Sequence, residues 1–176
     1  MRRNEQPRVI FLVGFMGAGK TTVGQALARR LGCEFEDLDD RIQQRQQRTI
    51  PEIFRDSGET EFRRAESAAL REVIESLDQS QRIIAMGGGA FAQRDNAALL
   101  ESAGVPVVFL DASPEELFRR CSGDSRERPL RRDMKSFCEL YEHRRPAYLK
   151  ARWHVNTDGK DQETIAREVA CSLGFE

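Results

Sequence analysis

The chain has 176 residues, of which 39% are hydrophobic and 32% are charged, and its formal net charge is −1. This length suits one compact α/β domain, and the chain lacks the run of about 18 apolar residues that a membrane span requires. A near-neutral chain is a poor match for nucleic acid, because binding to a phosphate backbone depends on a basic surface. We therefore expect neither nucleic acid nor a membrane as a partner.

Apolar runs alternate with amphipathic segments, which predicts βα units on a parallel sheet. We predict strands at 9–13, 35–38, 82–86, 106–110 and 152–156. We predict helices at 20–31, from Ser113 and Pro114 onward, at 135–149 and at 162–173, with a helical insert at about 40–77. The polar, arginine-rich segment at about 122–135 is expected to form a mobile lid. The prediction is a single domain over residues 1–176 with a five-stranded parallel sheet flanked by helices.

The N-terminus and the cysteines indicate the compartment. The apolar run at 9–13 is too short for the core of a signal peptide. The four cysteines form no CxxC pair and match no zinc-site spacing, so free thiols in a reducing compartment account for them. We expect a cytoplasmic protein, and a monomer.

A phosphate-binding motif follows the first predicted strand. Residues Gly14–Thr21 match the pattern G-x-x-x-x-G-K-S/T in full and lead into a predicted helix. Glycines let backbone N–H groups turn toward an anion, Lys20 can reach the β- and γ-phosphates, and the Thr21 hydroxyl can ligate Mg²⁺. No N-K-x-D sequence for reading guanine is present, so GTP is disfavoured. The motif predicts a P-loop NTPase three-layer sandwich, with a small-molecule kinase as the leading class.

Two carboxylates, Asp37 and Asp39, lie at the end of the second predicted strand. Residues two apart in an extended segment point the same way, so both can face the cleft at the carboxyl ends of the strands. One could hold Mg²⁺ through water while the other accepts the proton of an acceptor hydroxyl. Alternatively, these aspartates only cap the next helix.

Several motifs, in this order, resemble shikimate kinases. They are the P-loop segment 14–24, Asp37-Leu38-Asp39, Ile50–Phe54 with Gly58–Arg63, Gly87-Gly88-Gly89-Ala90, Arg128-Pro129-Leu130 and Arg144-Arg145-Pro146-x-Tyr148. The resemblance extends from about Val9 to the final helix. Leu38 stands where many members carry Thr, and Arg131-Arg132-Asp133 make the lid more charged than usual.

The resemblance implies ATP-dependent phosphorylation of the 3-hydroxyl of shikimate with Mg²⁺, a step in chorismate and aromatic amino-acid biosynthesis. It implies Asp39 as the base, with Lys20 and Arg128 neutralising charge during transfer, and a metal held by Thr21 and, through water, by Asp37. The implied nucleotide contacts are Gly17, Ala18, Gly19, Lys20, Thr21, Thr22, Arg120 near the adenine and Arg128 on the lid. The implied shikimate contacts are Asp39, Phe54, Phe62, Arg63, Gly87, Gly88, Gly89 and Arg144.

Each role has an alternative. Arg63 could simply pair with Glu59 or Glu66, Phe62 also falls on the apolar stripe of its helix, and the glycine triplet could be a plain turn. Neighbouring Arg144 and Arg145 leave the carboxylate ligand ambiguous by one position, and counting back from the following proline favours Arg144. The acceptor could also be gluconate or a nucleoside monophosphate, and a non-catalytic nucleotide sensor is a further alternative.

Overall fold

A computed structural model describes residues 9–77, 80–122 and 133–175. Five strands form one parallel sheet in the order β2-β3-β1-β4-β5. They are β1 (Val9–Val13), β2 (Glu34–Asp37), β3 (Arg82–Ala85), β4 (Val107–Asp111) and β5 (Trp153–Asn156). Every residue of β1 and β3 is buried, as expected for strands covered on both faces. The predicted P-loop fold with a five-stranded parallel sheet flanked by helices is confirmed.

The described part of the chain forms seven helices. They are α1 (Lys20–Leu31), α2 (Leu38–Gln46), α3 (Ile50–Glu75), α4 (Arg94–Ala103), α5 (Pro114–Ser122), α6 (Met134–Tyr148) and α7 (Gln162–Ser172). Helix α4 was not predicted, because it gives few sequence signals: its N-cap Gln93 makes no side-chain cap hydrogen bond, and it buries only Asn96 and Leu100. Ser113 does cap α5, where its Oγ accepts a hydrogen bond from the Glu116 N–H.

The predicted helical insert corresponds to α2 and α3. Thr49 and Glu52 form a reciprocal capping box that starts α3. Gly58 interrupts this helix with φ 78° and ψ 175°, so the chain bends there. The predicted apolar stripe of the second half is buried at Phe62, Ala65, Ala69 and Val73, and it attaches the insert to the core.

The strand order brings the ends of four strands together at one edge of the sheet. In register, Asp37 of β2 pairs with Ala85 of β3, Leu12 of β1 pairs with the same Ala85, and Val13 pairs with Phe109 of β4. The P-loop, the glycine triplet and the aspartates therefore all begin at the carboxyl edge, where open α/β sheets bind ligands. Within residues 9–77, 80–122 and 133–175, no helix combines the length and apolar character required to cross a bilayer.

Candidate active site

The P-loop is shaped by glycines that no other residue can replace without strain. Gly17 and Gly19 have φ values of 81° and 86°, in the left-handed region. A Cβ atom on Gly17 would lie 2.6 Å from the Leu117 carbonyl oxygen and 2.9 Å from Cys121 Sγ. Gly19 is the N-cap of α1 and supplies no side-chain cap, so first-turn N–H groups remain available to an anion. Ala18, between them, is buried.

The Lys20 side chain folds back over this loop. Its Nζ donates hydrogen bonds to the carbonyl oxygens of Gly14 at 2.9 Å and Phe15 at 3.0 Å. Thr22 Oγ1 donates to the Gly19 carbonyl at 3.1 Å. The ammonium group therefore lies over the backbone that would surround the phosphates, where a positive charge stabilises an anion most effectively.

A cleft of about 520 Å³ opens beside the P-loop. It is lined by residues of the P-loop and α1, of α5, and of the segment after β5: Ala18, Gly19, Thr22, Val23, Glu116, Arg119, Arg120, Gly159, Lys160, Asp161, Gln162 and Ile165. Arg120, which the resemblance assigns to the adenine, is therefore part of this cleft. A cleft of this size adjoining a phosphate loop can accommodate a nucleoside.

Asp37 joins the P-loop helix to the second strand. Its Oδ2 accepts a hydrogen bond from Thr21 Oγ1 at 3.0 Å, and its Oδ1 accepts one from the Asp39 N–H at 3.0 Å. Hydroxyl and carboxylate oxygens are ligands that suit Mg²⁺. Among the residues that the structure describes, no group of three or more His, Cys, Asp or Glu side chains is arranged to hold a metal ion. The Thr21 hydroxyl and the Asp37 carboxylate fit an ion whose other ligands would be nucleotide oxygens and water.

The expected extended geometry of the aspartate pair is wrong at its second member. Strand β2 ends at Asp37, which is the N-cap of α2, so Asp39 lies in the first turn of a helix. The capping alternative is therefore correct for Asp37, because a carboxylate at this position satisfies a free N–H group. Asp39 nevertheless lies at the same edge, since its Oδ1 would be 2.8 Å from a Cβ atom on Gly87.

The glycine triplet lies against charged side chains from three helices. A Cβ atom on Gly87 would also lie 3.1 Å from Glu66 Oε1, and one on Gly89 would lie 2.6 Å from Arg63 Nη2. Arg144 Nη1 is 3.7 Å from the corresponding position of Gly88. A Cβ atom on Gly87 or Gly89 would force these side chains to move, whereas the 3.7 Å at Gly88 is an ordinary contact distance. Gly87 and Gly89 therefore let charged side chains approach the backbone closely.

Arg63 makes the ion pairs that were its structural alternative. Its Nη1 donates to Glu66 Oε2 at 2.8 Å, and Glu59 accepts from its Nε and Nη2 at 3.4 and 3.3 Å. Glu66 is fully buried, and in the described part of the chain its Oε1 has no hydrogen-bond partner. Burial raises the pKa of the Glu66 carboxyl, and the charge and hydrogen bond of Arg63 oppose that rise. The pairing orients the Arg63 guanidinium beside Gly89, where this group can also contact a bound ligand.

The adjacent arginines of α6 have different surroundings. Arg144 lies near Gly88, with its guanidinium carbon 5.9 Å from the centre of the Phe15 ring. Arg145 points elsewhere, donating to Asp111 Oδ2 at 2.8 Å. The geometry therefore favours Arg144 as the residue that can reach a ligand at the glycine triplet.

Two phenylalanines of α3, Phe54 and Phe62, pack against each other on the same helix as Arg63. Phe54 is 39% exposed and Phe62 is 5% exposed, with ring centres 4.7 Å apart. Phe62 therefore belongs mainly to the core, as its position on the apolar stripe indicates, whereas Phe54 presents an apolar surface to solvent. The Arg63 guanidinium carbon lies 5.2 Å from the centre of the Phe62 ring, which helps to orient this arginine.

Comparisons with known proteins bear on the family of this chain. The family model described as shikimate kinase matches residues 16–173. A shikimate kinase of Thermus thermophilus is 40% identical over 179 aligned residues, covering 98% of this chain and 95% of that protein. The chain belongs to the shikimate kinase family. The solved structure of shikimate kinase from Acinetobacter baumannii in complex with shikimate superposes with a TM-score of 0.86 at 34% identity, covering 98% of this chain and 96% of the other.

More distant structures share only the fold of the family. A gluconokinase from Sinorhizobium meliloti superposes with a TM-score of 0.59 at 17% identity, covering 96% of this chain and 93% of that one. At this identity the likeness shows the fold alone, and a fold by itself does not determine the acceptor.

One expected part of the family's site cannot be placed. Arg128 and most of the predicted lid at about 122–135 lie outside the described residues. The described chain stops at the end of α5 and resumes at Asp133, which caps α6.

Three residues of the site carry no role in the sequence interpretation. Glu66 was considered only as an alternative partner for Arg63. The signal that identifies it as this partner is its position three residues after Arg63 on the same helix. Tyr148 is fully buried and donates a hydrogen bond to the Gly88 carbonyl; burial raises its pKa to about 12, so it stays a donor at neutral pH. Asn96 donates to the Ala90 carbonyl at 3.1 Å, and its position was missed together with α4.

Proposed function

We propose that this chain transfers the γ-phosphoryl group of ATP to the 3-hydroxyl of shikimate, giving shikimate 3-phosphate for chorismate and aromatic amino-acid biosynthesis. The observation that carries the proposal is that a complete P-loop and two arginines beside a glycine triplet share one edge of the sheet. The first suits a nucleotide and the second a small carboxylate. A relative of the same family has been solved in complex with shikimate.

The nucleotide half of the reaction rests on the P-loop. The N–H groups of Gly17, Ala18 and Gly19 and the ammonium of Lys20 would surround the phosphates, with Thr21 and Thr22 in the first turn of α1. Thr21 and, through water, Asp37 would hold Mg²⁺, whose chemistry here is to neutralise phosphate charge.

The acceptor half rests on the side chains around the glycine triplet. Arg63 and Arg144 would bind the shikimate carboxylate, because the planar guanidinium presents paired donors to two carboxylate oxygens. The backbone of Gly87, Gly88 and Gly89 would approach the ring closely, with Phe54 and Phe62 as its apolar border. Asp39 would accept the proton of the attacking hydroxyl.

Exclusion of water is the remaining requirement, because water competes with the acceptor hydroxyl as a nucleophile. We assign this role to the segment at about 122–135, whose Arg128 would neutralise charge during transfer. We also propose that the chain works as a cytoplasmic monomer. The reducing cytoplasm suits its cysteines, since the described part of the chain contains no disulfide.

Release of ADP by the purified protein tests this proposal. The protein is incubated with ATP and Mg²⁺ alone and then with shikimate, quinate or gluconate. We expect rapid ADP release with shikimate only, because quinate has a saturated ring and gluconate has none. Equal slow release in all four reactions would contradict an acceptor role for shikimate, and release driven by gluconate would transfer the proposal to that acceptor.

A further inference from the structure

Arg120 is held by protein groups at all three of its guanidinium nitrogens. Its Nε donates to Glu116 Oε1 at 2.8 Å, its Nη1 donates to Thr157 Oγ1 at 3.0 Å, and its Nη2 donates to the Thr157 carbonyl at 2.6 Å. The arginine side chain is 21% exposed. Such a set of contacts fixes both the position and the plane of the group.

The two residues that hold Arg120 are themselves fixed. Thr157 is fully buried directly after β5, and its N–H donates to the Asp111 carbonyl at 2.8 Å. Glu116 lies in the first turn of α5, where its N–H donates to Ser113 Oγ. Asp158, next to Thr157, accepts from the Ser113 N–H at 3.0 Å and so joins the two segments. The guanidinium therefore has a rigid frame on one side.

This frame restricts what Arg120 can do in the cleft. Three of its five N–H groups are directed at protein acceptors, which limits the paired hydrogen bonds that it can offer a phosphate. The flat faces of the guanidinium remain, and a guanidinium face stacks favourably on a planar aromatic ring. Arg120 lines the cleft beside the P-loop together with Ala18 and Thr22.

We propose that Thr157 and Glu116 are positioning residues for the nucleotide, which fix the plane of Arg120 so that its face supports the base. The proposal rests on the proposed nucleotide site. In this proposal, Thr157 and Glu116 contribute to binding of the base, whereas the P-loop binds the phosphates. They do not touch the reacting atoms.

The test compares a ligand that has a base with one that lacks it. Binding of ADP and of inorganic tripolyphosphate is measured for the full chain and for Thr157→Val, which keeps the side-chain volume but removes the hydroxyl acceptor. We expect the dissociation constant for ADP to rise roughly three- to tenfold, the size of one ordinary hydrogen bond, because the lost contact acts on the base only through Arg120. The dissociation constant for tripolyphosphate should stay unchanged.

Two further variants keep the test decisive. Thr157→Ser retains the hydroxyl and should bind ADP like the unaltered chain. Glu116→Ala removes the other side-chain acceptor at the more exposed end of the frame, and it should reproduce the selective loss for ADP even if Thr157→Val folds poorly. Equal weakening for ADP and tripolyphosphate in both loss variants, or no weakening for ADP, would overturn the proposal.

The positioning role of Thr157 and Glu116 and the proposed function can each fail without the other. ADP binding requires no acceptor, so a base-selective loss supports the positioning role even if shikimate is not the substrate. If the unaltered chain turns over shikimate and the variants still bind ADP normally, the positioning role fails while the proposed function stands.

Discussion

The proposed nucleotide side and the proposed acceptor side of the site are built in different ways. Most of the nucleotide side comes from one contiguous segment, Gly14–Thr22, whose glycines direct backbone N–H groups at an anion. The acceptor side combines single side chains from α2, α3 and α6 around a glycine triplet after β3. Backbone conformation can thus be predicted from a local motif, whereas a set of side chains depends on the whole fold.

The two sides also treat their arginines differently. On the acceptor side, Arg63 pairs with the buried Glu66 yet keeps its guanidinium against Gly89. On the nucleotide side, Arg120 is held at all three nitrogens. We therefore expect substitutions on the acceptor side to alter turnover or the KM for shikimate, and those around Arg120 to alter nucleotide affinity.

The largest expected effect is at Asp39. Asp39→Asn removes the proposed base, so kcat should fall roughly 100-fold or more, the usual contribution of general base catalysis. Equilibrium binding of ADP should change little, because the P-loop is untouched. Asp40→Asn, at the exposed next residue, is the matched control and should retain activity. A full rate for Asp39→Asn would remove Asp39 from its assigned role.

A second prediction separates the adjacent arginines of α6. Arg144→Ala should raise the KM for shikimate roughly tenfold or more, because a charge-assisted hydrogen bond to the carboxylate is lost. Arg145→Ala should lower thermal stability through its lost pair with Asp111, with a much smaller effect on that KM. Steady-state kinetics and thermal unfolding of both variants provide the comparison, and the reverse pattern would exchange the two assignments.

A third prediction concerns support of the glycine triplet. Tyr148→Phe removes the hydrogen bond to the Gly88 carbonyl, so the KM for shikimate should rise roughly two- to tenfold while the KM for ATP stays constant. Tyr141→Phe is a matched control, since its hydroxyl donates to the Ala112 carbonyl and Asp111 instead. Parallel changes in both KM values of Tyr148→Phe would indicate a general packing role.

The smallest expected effect is on acid stability. Hydrogen bonds from Arg119 and then Arg120 lower the pKa of Glu116 from 4.5 to about 2. Because the pKa of Glu116 is lower in the folded chain than in the unfolded chain, its carboxylate stabilises the folded state at pH values above 4.5. This contribution is lost as the pH falls from 4.5 toward 2. Glu116→Gln should therefore lower the free energy of unfolding at neutral pH and match the unaltered chain near pH 2. Chemical denaturation across this range is the measurement, with the exposed Glu115→Gln as control; a pH-independent difference would contradict it.

The sequence was sufficient where a signal is local. The strands, the P-loop and the stripe of α3 follow from hydrophobic periodicity and glycine spacing, and all were observed. The geometry of Asp39 was not predictable, because the boundary between β2 and α2 depends on Asp37 capping the helix. Helix α4 was missed because it lacks a capping signal, and Thr157, one of the two partners of Arg120, lies 37 residues away in the chain. Such contacts between distant segments arise only from packing of the whole fold.

Phosphorus NMR of the reaction product tests the central claim most directly. The protein is incubated with ATP, Mg²⁺ and shikimate, and the position of the phosphate is determined from its coupling to the ring protons. The account predicts one new phosphomonoester coupled to the proton on the carbon of the 3-hydroxyl, formed in equal amount with ADP. Formation of orthophosphate alone, or of a phosphate on another hydroxyl, would contradict it.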